Sequence, residues 1–91
     1  MTPEEELEIL NDALYCFGFS HQRLKAIEEM AELTKELAKN DDMQHVAEEI
    51  ADVLIMVSQM ILYFNLQEEV AEYKERKLRR LRVLLFEMNY G

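Results

Sequence analysis

The stretch EEMAELTKELAKNDDMQHVAEEIADVL, Glu28 to Leu54, decides how the chain is read. It carries two acidic pairs, Glu29 with Glu32 and Glu49 with Asp52, each spaced three apart. On a helix, positions i and i+3 lie on nearly one side, about 60° apart. Each pair is therefore a two-pronged acidic claw. Asn40-Asp41-Asp42 lies between the pairs and reads as a turn, so the claws fall on separate helices. Four carboxylates converging in a shielded place cannot all stay ionised unless cations neutralise them. Hard cations such as Mg²⁺, with Mn²⁺ as an alternative, favour an all-oxygen ligand set.

Around that stretch, 91 residues bound the chain to a single domain. Hydrophobic residues at 49% exclude disorder, and two glycines and one proline among strong helix formers favour an all-α fold. A net charge of −9 argues against a nucleic-acid polymer as partner. One cysteine, Cys16, allows no internal disulfide and suits a reducing cytoplasm. The acidic opening MTPEEE does not read as a signal peptide. The longest apolar run, Val53 to Phe64, is broken by Ser58 and Gln59 and falls short of the ~20 residues of a membrane span.

The pattern predicts four helices joined by short connections, so sequential helices should pack antiparallel. Thr2-Pro3-Glu4-Glu5 is a capping box with proline at the first helical position. The first helix runs to about Phe17, with Leu7, Leu10, Leu14 and Phe17 on one face, and Gly18 stops it. Ser20 can cap the second helix, to about Lys39, and Asp41 with Gln44 the third, to about Phe64. Asn65 with Glu68 starts the fourth, which reaches about Met88.

In the second helix Leu24, Ile27, Met30, Ala31, Leu33 and Leu37 form an apolar arc, with Glu29 at its edge, Glu32 further out and Glu28 towards solvent. Taken alone, these glutamates read as a solvated face partnered by Lys25 and Lys35. The third helix changes that balance. From Ile50 to Phe64 it is apolar nearly all round, which implies burial on most sides. Glu49 and Asp52 nevertheless share a face with Val53, Met56 and Met60, and an unpaired buried carboxylate is expensive. A cation or a basic side chain must compensate it. His45, one turn before Glu49, is either a ligand, a donor to one, or a first-turn surface histidine. Asp42-x-x-His45 has di-iron spacing, but no second copy exists.

The fourth helix holds six of the ten basic residues between Lys74 and Arg82. Pairing of Glu72 with Arg76 and of Glu75 with Arg79 explains part of this charge. It does not explain Lys77, the only charged member of the stripe Leu66, Val70, Tyr73, Lys77, Leu81, Leu84 and Met88. A lysine in such a stripe must reach an anion or snorkel out to water.

E-x-x-E, a spacer, then E-x-x-D resembles the signature of the MazG-type all-α nucleoside triphosphate pyrophosphohydrolases. Glu29, Glu32, Glu49 and Asp52 carry it, with the doubled Glu28-Glu29 and the apolar residues after Asp52, and the resemblance covers roughly residues 17–82. The run FGFSHQRLKAIEEMAEL resembles the segment before the acidic motif in small phage and bacterial relatives, and Lys77 to Arg80 resembles the basic K-x-x-R that follows it. The resemblance implies a Mg²⁺-dependent hydrolase cutting a nucleoside triphosphate into monophosphate and pyrophosphate. It implies the four carboxylates as metal-binding and catalytic residues, and Gln22, Lys25, Lys77 and Arg80 as substrate contacts. It also implies a homodimer or homotetramer that completes the helical bundle, which the apolar third helix demands in any case. Nothing supplies a nucleophilic serine or cysteine with a paired base. Two other classes stay open: a non-catalytic acidic interaction module, and a metal-storing or metal-sensing bundle.

Overall fold

The computed structural model describes residues 1–39 and 42–90. Four helices account for almost all of them: α1 (Pro3–Phe17), α2 (Phe19–Lys39), α3 (Met43–Phe64) and α4 (Gln67–Tyr90). Among the described residues there is no strand, and no helix is long and apolar enough to cross a membrane.

The ends of the helices follow from their capping chemistry. The Thr2 hydroxyl accepts the Glu5 amide at 3.1 Å, the N-cap half of the expected capping box, and donates to the Glu5 carboxylate at 3.2 Å. Gly18 ends α1 at φ +85°, a conformation side chains resist. Three caps differ from expectation. α2 begins at Phe19, so Ser20 lies inside it, and the Gln22 amide bonds the Gly18 carbonyl instead. Asp42 caps α3 by accepting from the Gln44 and His45 amides; Asp41 lies outside the described residues. Asn65 does not start α4. It takes the left-handed conformation at φ 55° and closes α3 as its C-cap, a role Asn fills when Gly is absent.

α2 and α3 form an antiparallel hairpin that dominates the packing. Its seam inverts the expected amphipathicity. The residues of α2 that bury are Gln22, Ala26 and Glu36, while Leu24, Ile27, Met30 and Leu37 of the apolar arc are exposed. Physically, α3 offers Glu49, Asp52 and Gln59 on its inner face, and α2 answers with its own polar residues. At the end away from residues 40–42, Phe19 stacks on Tyr63 with ring centroids 3.7 Å apart, and Phe64 meets Phe19 edge-on at 5.2 Å. α1 lies against this end of α3, where Leu7 and Leu10 share an apolar groove with Ile61 and Leu62.

The fourth helix departs most from an antiparallel bundle. It touches α3 and neither α1 nor α2 among the described residues, and its described residues are exposed. Glu75 pairs with Arg79 at 2.7 Å as expected, but Arg76 sits over the Tyr73 ring at 5.2 Å rather than pairing with Glu72. Three helices pack and the fourth projects, giving a radius of gyration of 16.5 Å, where a compact chain of this length has about 12 Å. Among the described residues the buried apolar core is Ala26, Val46 and Met56.

Candidate metal centre

One register organises the α2–α3 seam. The Gln22 amide donates to the Gln59 carbonyl at 2.8 Å, and both side chains are buried. Counting inward, two turns from Gln22 lies Glu29 and two turns back from Gln59 lies Asp52, seven residues along the same helical faces. The next positions in this register are Glu32 and Glu49, but Glu49 meets Glu29 and Asp52 instead. The last rung sets buried Glu36 against His45, with a carboxylate oxygen 4.0 Å from the ring Nδ1. The seam is therefore a polar ladder, closed at one end by an amide pair and at the other by a carboxylate and an imidazole. Its middle is acidic.

In that middle, Glu29, Glu49 and Asp52 each bring a carboxylate oxygen to within 4.8 Å of the other two. Glu49 Oε2 is buried without a hydrogen-bond partner. Burial first, and then the Glu29 carboxyl against it, hold Glu49 above the ordinary carboxylate range. Asp52 is raised in the same way, by burial and then by the charge of Glu29. Oxygens at this spacing, one of them buried and unpartnered, fit one hard divalent cation after small side-chain rotations. Glu32 is exposed and lies outside that trio, yet its charge contributes to raising Glu49.

Lys25 is at this centre too, its ammonium 3.2 Å from Glu29 Oε1. Gln22 belongs to the structural end of the ladder: its carbonyl oxygen also lies 2.8 Å from His21 Nδ1. His45 stands outside the trio, between Asp42 at 3.3 Å and Glu36. Lys77 lines an exposed groove on α4 with Val70, Tyr73, Leu78 and Leu81, and Arg80 is on the same helix, which among the described residues makes no contact with α2. One chain thus gathers the carboxylates and Lys25 but leaves Lys77 and Arg80 apart from them.

Gln59 and Glu36 are the residues that sequence reasoning passed over. Gln59 carried a signal, as a polar interruption of the Val53–Phe64 apolar run two turns after Asp52. Gln59→Leu should leave the buried Gln22 amide unsatisfied, at a cost of about 1–3 kcal/mol. We expect a melting temperature lower by about 5–15 °C at fixed protein concentration. Gln22→Leu combined with Gln59→Leu should recover much of that loss in thermal unfolding, because both polar partners are then gone.

Comparison with protein-family models, with curated proteins and with solved structures finds no match for this chain.

Proposed function

We propose that the chain is a Mg²⁺-dependent nucleotide pyrophosphohydrolase, cleaving a nucleoside or deoxynucleoside triphosphate to the monophosphate and pyrophosphate. The observation that carries this is the convergence of Glu29, Glu49 and Asp52 around an unpartnered, buried Glu49 oxygen. The acidic motif on which those residues lie resembles that of the MazG-type hydrolases and supplies the substrate class.

In this mechanism Glu29, Glu49 and Asp52 hold the cation, and Glu32 completes the acidic set. Bound there, Mg²⁺ supplies neutralisation of the phosphate oxygens and of the charge that grows in the transition state. The carboxylate left outside the ion's ligand set accepts the proton of the attacking water. The raised affinity of Glu49 and Asp52 for protons comes from burial and from the charge of Glu29, which a bound cation would offset. Lys25, Lys77 and Arg80 meet the phosphates, and pyrophosphate leaves as a unit from the α-phosphorus.

A second copy belongs to this reading. The chain exposes 7711 Å², where a compact monomer of its mass exposes about 5,500 Å². The basic stretch Lys74–Arg82 of α4 in one copy is complementary in charge to the acidic seam of another, and the partner's helix brings Lys77 and Arg80 to the carboxylates. A homodimer satisfies this, and a homotetramer built from two such dimers covers more of the apolar arcs.

A nucleotide panel with Mg²⁺ and chromatographic product analysis tests the activity. The expected first products are monophosphate and pyrophosphate in equal amounts. Orthophosphate with a nucleoside diphosphate as first products would overturn the site of cleavage. The exposed apolar residues of α2, α3 and α4 favour a second reading, an interaction module without catalysis. Silence across the whole panel with Mg²⁺ and Mn²⁺ would support that one.

A further inference from the structure

Lys25 sits one turn before Glu29 on α2 and bonds it at 3.2 Å. The usual explanation of such a pair is local helix stabilisation. Here the order is wrong for it, because lysine preceding glutamate at i,i+4 is the weaker orientation on an isolated helix. The environment is also wrong for an ordinary surface pair. The Lys25 side chain is half in water at 48% exposure, whereas that of Glu29 is only 14% exposed. Glu29 is moreover the carboxylate that presses on both others: its charge and its close carboxyl contact act on Glu49 and on Asp52 alike. Lys25 therefore neutralises the residue at the heart of the trio, and Asp52 feels it as a stabilising positive charge.

We propose that Lys25 is a tethered counter-ion that stands in for the divalent cation and, displaced when that cation binds, turns to the substrate's phosphates. This inference rests on the proposed cation site at Glu29, Glu49 and Asp52. A carboxylate oxygen bonded to an ammonium cannot take a divalent cation without bringing two positive charges into close contact. The four-carbon stem of lysine lets the head swing away at little conformational cost. Its half-exposed position leaves it free to meet a phosphate arriving from solvent. Cation binding and polyphosphate binding are then coupled through one side chain: the first releases the group that the second needs. In the empty site Lys25 offsets one of the negative charges, and polyphosphate is bound tightly only after the cation has arrived.

Opposite signs in two binding measurements test this. Mn²⁺ is titrated into nucleotide-free protein and free Mn²⁺ is read by electron paramagnetic resonance; tripolyphosphate is then titrated by calorimetry at saturating Mn²⁺. Lys25→Met should bind Mn²⁺ about fivefold tighter, the size of one ion pair removed from competition. It should bind tripolyphosphate about tenfold more weakly, for want of a charge-assisted contact. Lys25→Arg should restore most of the tripolyphosphate affinity. Unchanged or weakened Mn²⁺ binding in Lys25→Met would overturn the counter-ion role, since a lysine that merely fixes Glu29 would help the cation rather than compete with it. Wild-type protein that binds no Mn²⁺, or binds it equally well after Asp52→Asn, would instead remove the cation site itself and the inference with it.

Discussion

Glu49→Gln is expected to abolish Mg²⁺-dependent turnover while making the cation-free protein more resistant to heat. The two effects have one cause. The Glu49 carboxyl is held above the ordinary carboxylate range by burial and by Glu29 beside it, with Asp52 and Glu32 adding to the repulsion. Its Oε2 is buried and finds no partner. Glutamine keeps the shape and discards the charge, so the repulsion disappears together with an anionic ligand for the cation. A raised carboxyl holds its proton more firmly in the folded than in the unfolded state. Stability is therefore greatest at low pH and falls as pH rises from the ordinary carboxylate range through the raised one. Above that window the wild-type protein carries the full penalty and Glu49→Gln does not. We expect its melting temperature at neutral pH, without added metal, to exceed that of wild type. The pH dependence in that window should flatten. Asp52→Asn should behave alike, as Asp52 is raised for the same reasons. Circular dichroism melts across pH, with turnover measured on the same samples, check both halves. Unchanged turnover in either variant would remove these residues from the site.

The acidic motif was legible because its chemistry depends on spacing along a helix, and spacing is written in the chain. Glu29 and Asp52 meet because they lie at nearly equal distances along the chain from the 40–42 connection between α2 and α3, and Glu49 joins them from one turn before Asp52. Helix limits at Thr2, Gly18 and Phe64 were legible for the same reason: capping is local. Which face of α2 is buried was not. Periodicity places Leu24, Ile27 and Leu37 on an arc, but an arc states only that those residues are alike. Here the partner helix presents carboxylates and an amide, and the polar side of α2 meets them instead. Gln59 escaped because one glutamine in an apolar run reads as an interruption until Gln22 is found opposite. Asn65 was ambiguous in a different way. Asn both starts helices and, with positive φ, ends them, and only the backbone decides.

Leu81→Asp is expected to break the protein into single chains and to remove its activity. Leu81 is exposed within one chain, beside Val70, Tyr73, Lys77 and Leu78 on α4. If the chain worked alone, aspartate there would be a surface change, worth within about half a kcal/mol. If a second copy covers the stripe, the same aspartate is a buried charge without a partner, and it prevents association. The area involved favours the latter. To approach the exposure of a compact chain, each copy must hide on the order of 2,000 Å², which lies in the range of obligate interfaces. Among the described residues Ala26, Val46 and Met56 make a small buried apolar core, which a second copy would enlarge. Light scattering on wild-type protein at micromolar concentration should give two or four times the 10.8 kDa chain mass. Leu81→Asp should give the chain mass itself, with a lower and less cooperative melting transition. Its carboxylates would be intact, so it should still bind Mn²⁺ wherever α2 and α3 remain folded, while losing the partner's Lys77 and Arg80 and with them tight polyphosphate binding. A wild-type protein that runs at 10.8 kDa and melts cooperatively would show that the stripe on α4 serves something other than a second copy.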